Sequence, residues 1–387
     1  MQNNTHSLPL QTLRQKKSPS LIISMVFSVP VFLLMLFGLE ILSRQHQFNY
    51  IFPLRSLGSF HSQFEIKWFK LQDYVQANGA VDVILIGNSM VNTGIDPRIL
   101  ESEYETLTGQ KLRIFNFGVE GLTVKTNSKI ADILYEKYHP GTILVGTEMR
   151  DYVLANDVDV TAKFESNAWF KSQVEKRNTL ESWLISNSSG LQRLLVLRNW
   201  SSFDFLDNFL VTIQRYYRTK ASGYEPDLYV FNNPLFIKED PTRGEEITKH
   251  PDPNDPSEKI YFDLFSNFKI DPSRLSDLKS ILALHSRGVQ VFVTEMPVYP
   301  TYFDYFGGES VHQKFLTDIK QSISENRGIF LDPVAWDLFP LEDRVDNHHL
   351  NYLGAPLYSQ LLAQQLAEEC FSHKQCMIPA DDSSSLK

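Results

Sequence analysis

Val81-Asp82-Val83-Ile84-Leu85-Ile86-Gly87-Asn88-Ser89 is the stretch on which the fold turns. A short run of branched apolar residues reads as a strand buried on both faces, as in a parallel sheet. The run ends in a glycine, where a backbone can turn sharply, and then a serine. Open α/β sheets bind ligands at the carboxyl ends of their strands, which is where Ser89 would stand. Taken alone, such a serine reads first as the cap of the following helix.

Working outward, four more runs have the same character, at residues 112–117, 142–145, 289–294 and 328–331. Helical patterns at 97–106, 127–138, 273–286, 313–326 and 356–369 separate or follow them. Strand alternating with helix predicts an α/β fold, a three-layer sandwich around a five-stranded parallel, flavodoxin-like sheet. Residues 152–270 interrupt the alternation. Their helical stretches carry Trp169, Trp183, Trp200 and Phe203, and a Pro/Asp/Lys-rich loop occupies 238–259. They are expected to form a helical cap with one mobile loop.

At the far end of the chain, Asp346-Asn347-His348-His349-Leu350-Asn351 precedes the last helical pattern. A serine hydroxyl is a poor nucleophile until a base takes its proton. Histidine suits that task near neutral pH, and a carboxylate fixes its tautomer. An aspartate three residues before a histidine can meet it in a tight loop. The alternative readings are a metal site or a capping aspartate beside surface histidines. Asp332, just before Pro333, reads as a turn residue.

Taken together, the two ends resemble the SGNH/GDSL serine-hydrolase superfamily over roughly residues 80–151 and 285–370. Gly87-Asn88-Ser89 is similar to its first block, with Asn where Asp is commonest. Asn116-Phe117-Gly118-Val119-Glu120-Gly121 is similar to the second, and Asp346-x-x-His349 to the last. The resemblance implies Ser89 as nucleophile, His349 as base and Asp346 as its orienting carboxylate. It places the backbone N–H groups of Ser89 and Gly121 at the oxyanion. The third block of the family supplies an Asn to that hole. Here the stretch reads Gly146-Thr147-Glu148-Met149-Arg150-Asp151, leaving Thr147 or Arg150 as substitute donors. Glu148 would oppose a negative intermediate unless Arg150 pairs with it. Membrane-anchored envelope proteins of the DltD-like and alginate-acetylation types look nearest. They imply an esterase or O-acyltransferase for acylated carbohydrates or envelope polymers, or an assembly protein partnering a membrane-bound acyltransferase.

Residues 21–42 are almost wholly apolar, long enough to span a bilayer, with Glu40 near one end. Arg14, Lys16 and Lys17 precede the run and Arg44 and Arg55 follow it, which favours a cytoplasmic N-terminus and an exported domain. The residues after the run lack a small-x-small cleavage site, so an uncleaved anchor is expected. The expected order is a disordered tail (1–20), the anchor (21–42), a juxtamembrane segment (43–78), the α/β domain (79–372) and a flexible tail (373–387).

The net charge of −9, with no basic stripe, argues against nucleic acid as a partner. With 27 Phe and 16 Tyr the chain can bury a large core. Cys370 and Cys376 suit either a small disulfide or two free thiols. No zinc-type cysteine spacing, GxGxxG or P-loop occurs, so no metal or nucleotide cofactor is expected.

Overall fold

The structure, a computed structural model, describes residues 19–59, 61–154, 163–198, 201–227 and 243–380. Trp200, residues 238–242 of the Pro/Asp/Lys-rich stretch and most of the expected N-terminal tail lie outside the described residues.

Five strands form one all-parallel sheet: β1 (Val83–Ile86), β2 (Ile114–Asn116), β3 (Thr142–Thr147), β4 (Gln290–Glu295) and β5 (Ile329–Leu331). Their order is β2-β1-β3-β4-β5. Val83 stands opposite both Ile114 and Thr142, so β1 is an interior strand with pairing on either side. All four β1 side chains are fully buried, which is why the run is uniformly apolar rather than alternating. The chain steps outward one way from β1 to β2 and the other way from β3 to β5. That reversal opens a crevice at the carboxyl ends of β1 and β3.

Around the sheet lie α4 (Ser89–Gly94), α5 (Pro97–Thr108), α6 (Val124–Tyr138), and, after the insertion, α13 (Pro272–Leu282), α14 (Glu309–Glu325) and α15 (Gly354–His373). α15 packs on α4 and α5, and α13 on α6 and α14. Local chemistry sets the starts of these helices. Asp96 caps α5 by accepting from Arg98 N at 3.0 Å, and Asp271 caps α13 from Ser273 N at 2.8 Å. Each cap is followed by a proline at the first helical position, where no N–H is needed.

Before the sheet, α1 (Pro19–Ser43) is followed by α2 (His46–Ile51) and α3 (Ser62–Asn78). In α1, residues Val26–Ser43 have mean hydropathy 2.2, which by length and composition is enough to cross a membrane. The juxtamembrane expectation for 43–78 needs correction. Phe64, Trp68, Phe69 and Leu71 of α3 belong to the core of the α/β domain, and Trp68 meets the Trp169 ring edge-on at 4.6 Å. Buried polar groups give this core helix its amphipathic sequence. Glu65 Oε1 accepts from the Ser56 and Ser59 hydroxyls and from Leu57 N and Ser59 N. Lys67 Nζ donates to Asn116 O at 3.0 Å.

The insertion holds α7 (Ala168–Val174), α8 (Leu180–Asn187), α9 (Ser189–Val196), α10 (Phe205–Arg218), α11 (Arg243–Thr248) and α12 (Pro256–Phe265). It is helical as expected, but it is not one cap. α9 packs on α1, α10 on α3 and α7 on α6, whereas α11 packs beside residues 341–343, just before the Asp346–His349 loop.

The flexible-tail expectation also needs correction as far as Ala380. Cys370 and Cys376 are disulfide-bonded. Beyond them Ile378 N donates to Thr142 Oγ1 at 2.7 Å and Ala380 N to Asp82 Oδ1 at 2.9 Å, at the amino ends of the strands. The same Asp82 carboxylate takes Nε and Nη2 of Arg113, both at 2.8 Å.

Gly118 is dictated by packing. A Cβ there would fall 2.5 Å from Asn92 N and 2.9 Å from Val91 C, backbone atoms that cannot swing aside. We expect Gly118→Ala to lower stability by about 1–3 kcal/mol, the range for overpacking a core, measured as a shift in the midpoint of chemical unfolding.

Candidate active site

Ser89 opens α4 at the carboxyl end of β1. Asn88 Oδ1 caps the helix by accepting from Met90 N at 2.9 Å, so the serine hydroxyl is free for other work. Gly87 lets β1 approach β3 closely. A Cβ on it would lie 2.3 Å from Val91 Cγ2 and 2.7 Å from Gly146 O.

Across 260 residues of sequence, Ser89 Oγ meets His349 Nε2 at 2.8 Å. His349 Nδ1 lies 2.9 Å from Asp346 Oδ2, and Asp346 Oδ1 accepts from the backbone N–H groups of His348 and His349 at 2.8 and 2.7 Å. Asn351 ties the loop. Its Nδ2 donates to Glu342 O and Arg344 O, and its Oδ1 accepts from Leu353 N and Gly354 N at the start of α15. Asp332 pairs with Lys320 at the surface and takes no part.

The electrostatics separate the neighbouring histidines. Withdrawal from water opposes the charge of Asp346, yet His348, His349 and the backbone N–H groups hold its carboxyl below the usual range. Burial would lower His349, but the Asp346 carboxylate raises it above the ordinary 6.5. Burial pushes His348 down to about 3, so it is neutral near neutral pH. His348 instead stacks on Tyr302 with ring centroids 5.1 Å apart.

Behind Ser89 lies a cluster of which sequence reasoning saw only part. Arg150 Nη2 donates to Glu148 Oε1 at 2.6 Å, and Asn88 Nδ2 donates to the same oxygen at 2.7 Å. Tyr302 OH donates to Glu148 Oε2. Asn88 Nδ2 also reaches Asp151 Oδ1 at 3.3 Å. Burial raises Glu148, but Arg150, the two histidines and the Tyr302 hydroxyl together outweigh it and hold its carboxyl below the ordinary value. Burial and the nearby Glu148 push Asp151 up to about 8. An aspartate at 88 would face two acidic side chains; the Asn88 amide donates to both. The Arg150 guanidinium thus pairs with the Glu148 carboxylate.

Of the two substitute donors, Thr147 is otherwise engaged. It is buried, and its hydroxyl contacts Asp151 Oδ2 at 3.3 Å and Tyr152 OH at 3.1 Å. Arg150 lines a cavity of about 250 Å³ together with Tyr261, Phe265, Tyr302, Asn347 and His348. Gly121 sits in an exposed turn after β2 with φ of 70°. Its loop is held to the serine turn by Val119 N donating to Gly87 O at 3.0 Å.

No family model and no curated protein matches the chain. Among solved structures it is similar to a gut microbial diltiazem-metabolizing enzyme, at 11% identity and a TM-score of 0.32, over 74% of this chain and 47% of that one. The chain therefore spans about half the length of that structure.

Asp346, His348 and His349 also bring three potential metal-ligand atoms within 4.8 Å of one another. Both ring nitrogens of His349 are already taken, Nε2 by Ser89 and Nδ1 by Asp346, so a metal would have to displace one partner. Any activity of this site toward an activated ester is therefore expected to survive prolonged EDTA treatment unchanged. Loss of that activity, restored by added zinc, would turn the site into a metal centre.

Proposed function

We propose that the chain is a membrane-anchored serine esterase or O-acyltransferase of the SGNH type, working through an acyl-serine intermediate on acylated cell-envelope glycans or related polymers. The observation that carries this reading is the unbroken hydrogen-bonded line from Ser89 Oγ through His349 to Asp346. The strand order and the crevice at the carboxyl ends support it.

In this mechanism Ser89 Oγ attacks the ester carbonyl carbon while its proton passes to His349 Nε2. The negative tetrahedral oxygen faces the N–H groups of Ser89 and Gly121, with the Arg150 guanidinium as the side-chain donor. The intermediate collapses as His349 returns the proton to the leaving alkoxide. Water, or a sugar hydroxyl in the transfer reaction, then gives its proton to His349 and attacks the acyl-serine; the acyl–Oγ bond breaks, the acyl group leaves as acid or new ester, and His349 returns the proton to Ser89 Oγ. α1 would hold the domain at the membrane, with the excess of basic residues before it keeping the N-terminus cytoplasmic and the site outside.

A second reading is a binding or assembly protein of the same fold that partners a membrane acyltransferase. It is favoured by residues 147–150, where no Asn is offered and Thr147 is already engaged. A fluorophosphonate probe separates the two. Covalent labelling of the folded full-length chain, absent in Ser89→Ala, supports the enzyme. A folded chain left unlabelled by small and large probes alike supports the binder.

A further inference from the structure

α1 does not end in a free linker. Glu40 Oε2 accepts from Ser188 Oγ and Gly190 N, both at 2.8 Å, and Glu40 Oε1 from Ser189 N at 3.2 Å. Arg44 Nη2 reaches Asn187 O at 3.3 Å. The end of the anchor is thereby seated on the junction of α8 and α9. α2 continues the contact, with Phe52 just beyond it stacked on Phe209 of α10 at 6.2 Å.

Around this junction the domain shows large apolar side chains to the outside. α10 buries none of its residues fully. Phe205 and Phe209 turn partly inward, while Phe203, Leu206 and Leu210 recur on the outward side; Leu206 is 62% exposed and Phe203 completely so. Leu180 and Trp183 of α8 and Ile51 of α2 are exposed as well, at 75%, 54% and 77%. Soluble surfaces rarely expose so many large apolar side chains, and these helices adjoin the end of α1, whose own apolar side chains are exposed.

We propose that this face, made by α2, α8 and α10, lies in the headgroup and upper acyl region of the bilayer that α1 spans, as a second and monotopic membrane contact. Its place beside the end of the spanning helix selects lipid as the occupant. Leu and Phe on the outward side of a helix enter the acyl boundary, and Trp183 takes the interfacial depth that Trp favours. The proposal rests on the reading of α1 as a membrane anchor.

The test uses the full-length chain in nanodiscs of phosphatidylcholine and phosphatidylglycerol. Because Cys370 and Cys376 are paired, one added cysteine can be labelled selectively with bimane. Leu206→Cys and Trp183→Cys probe two helices of the face, Leu34→Cys probes α1, and Lys314→Cys probes an exposed site on α14. With brominated lipid, the labels at 206, 183 and 34 are expected to lose intensity and that at 314 to keep it. Quenching at 34 without quenching at 206 and 183 overturns the membrane face and leaves the anchor standing. No quenching at 34 overturns both.

Discussion

Ser89→Ala is expected to lower turnover of an activated ester by about 10⁶-fold, the scale on which removing a triad nucleophile acts. The substitution removes one oxygen from a partly buried position and leaves the cap of α4 intact, because Asn88 and not Ser89 supplies it. Unfolding midpoints should therefore stay where they are while turnover collapses. His349→Ala should fall to a similar floor, and the double variant should go no lower, since the two groups act as a unit. Additive losses would mean that Ser89 and His349 do not share one proton.

Asp346→Asn should lower turnover by about 10⁴-fold, because an amide can fix the wrong imidazole tautomer and cannot stabilise imidazolium. Its pH profile is as informative as its size. His349 must be neutral to accept a proton, and the Asp346 carboxylate holds its pKa above 6.5. In the wild-type chain, activity should therefore rise with pH through a midpoint above 6.5. Without the carboxylate, burial is the main influence left on His349, and it favours the neutral ring. The residual activity of the variant should keep its acid limb, displaced to lower pH. An unmoved limb would show that another group sets the profile.

The five strands were legible because all their residues but Gln290 and Phe330 are buried, so apolar runs of four to six residues stand out between polar turns. Ser89, His349 and Asp346 were legible because the proposed catalysis would demand particular residue types at the ends of elements. Other features left weaker marks. Gln63, Glu65 and Lys67 of α3 are buried with partners that cannot be foreseen locally, so a core helix reads as an amphipathic one. Tyr302 joins Glu148 from 154 residues away, and nothing in either neighbourhood announces the pairing. The insertion reads as a cap because aromatic helices between strands often cover a site. The Glu40 contacts that draw its first half toward α1 depend on one carboxylate in an apolar run.

The cystine near the C-terminus has a consequence for the order of assembly. The backbone beyond Cys376 fastens the amino ends of β1 and β3, through Asp82 and Thr142. Such a link persists where oxidants outweigh thiol reductants. On the proposed topology, the chain would leave the ribosome with these thiols reduced and insert its anchor first. The cystine beside the segment that fastens the amino ends of the strands would then form only in the oxidising compartment the domain enters.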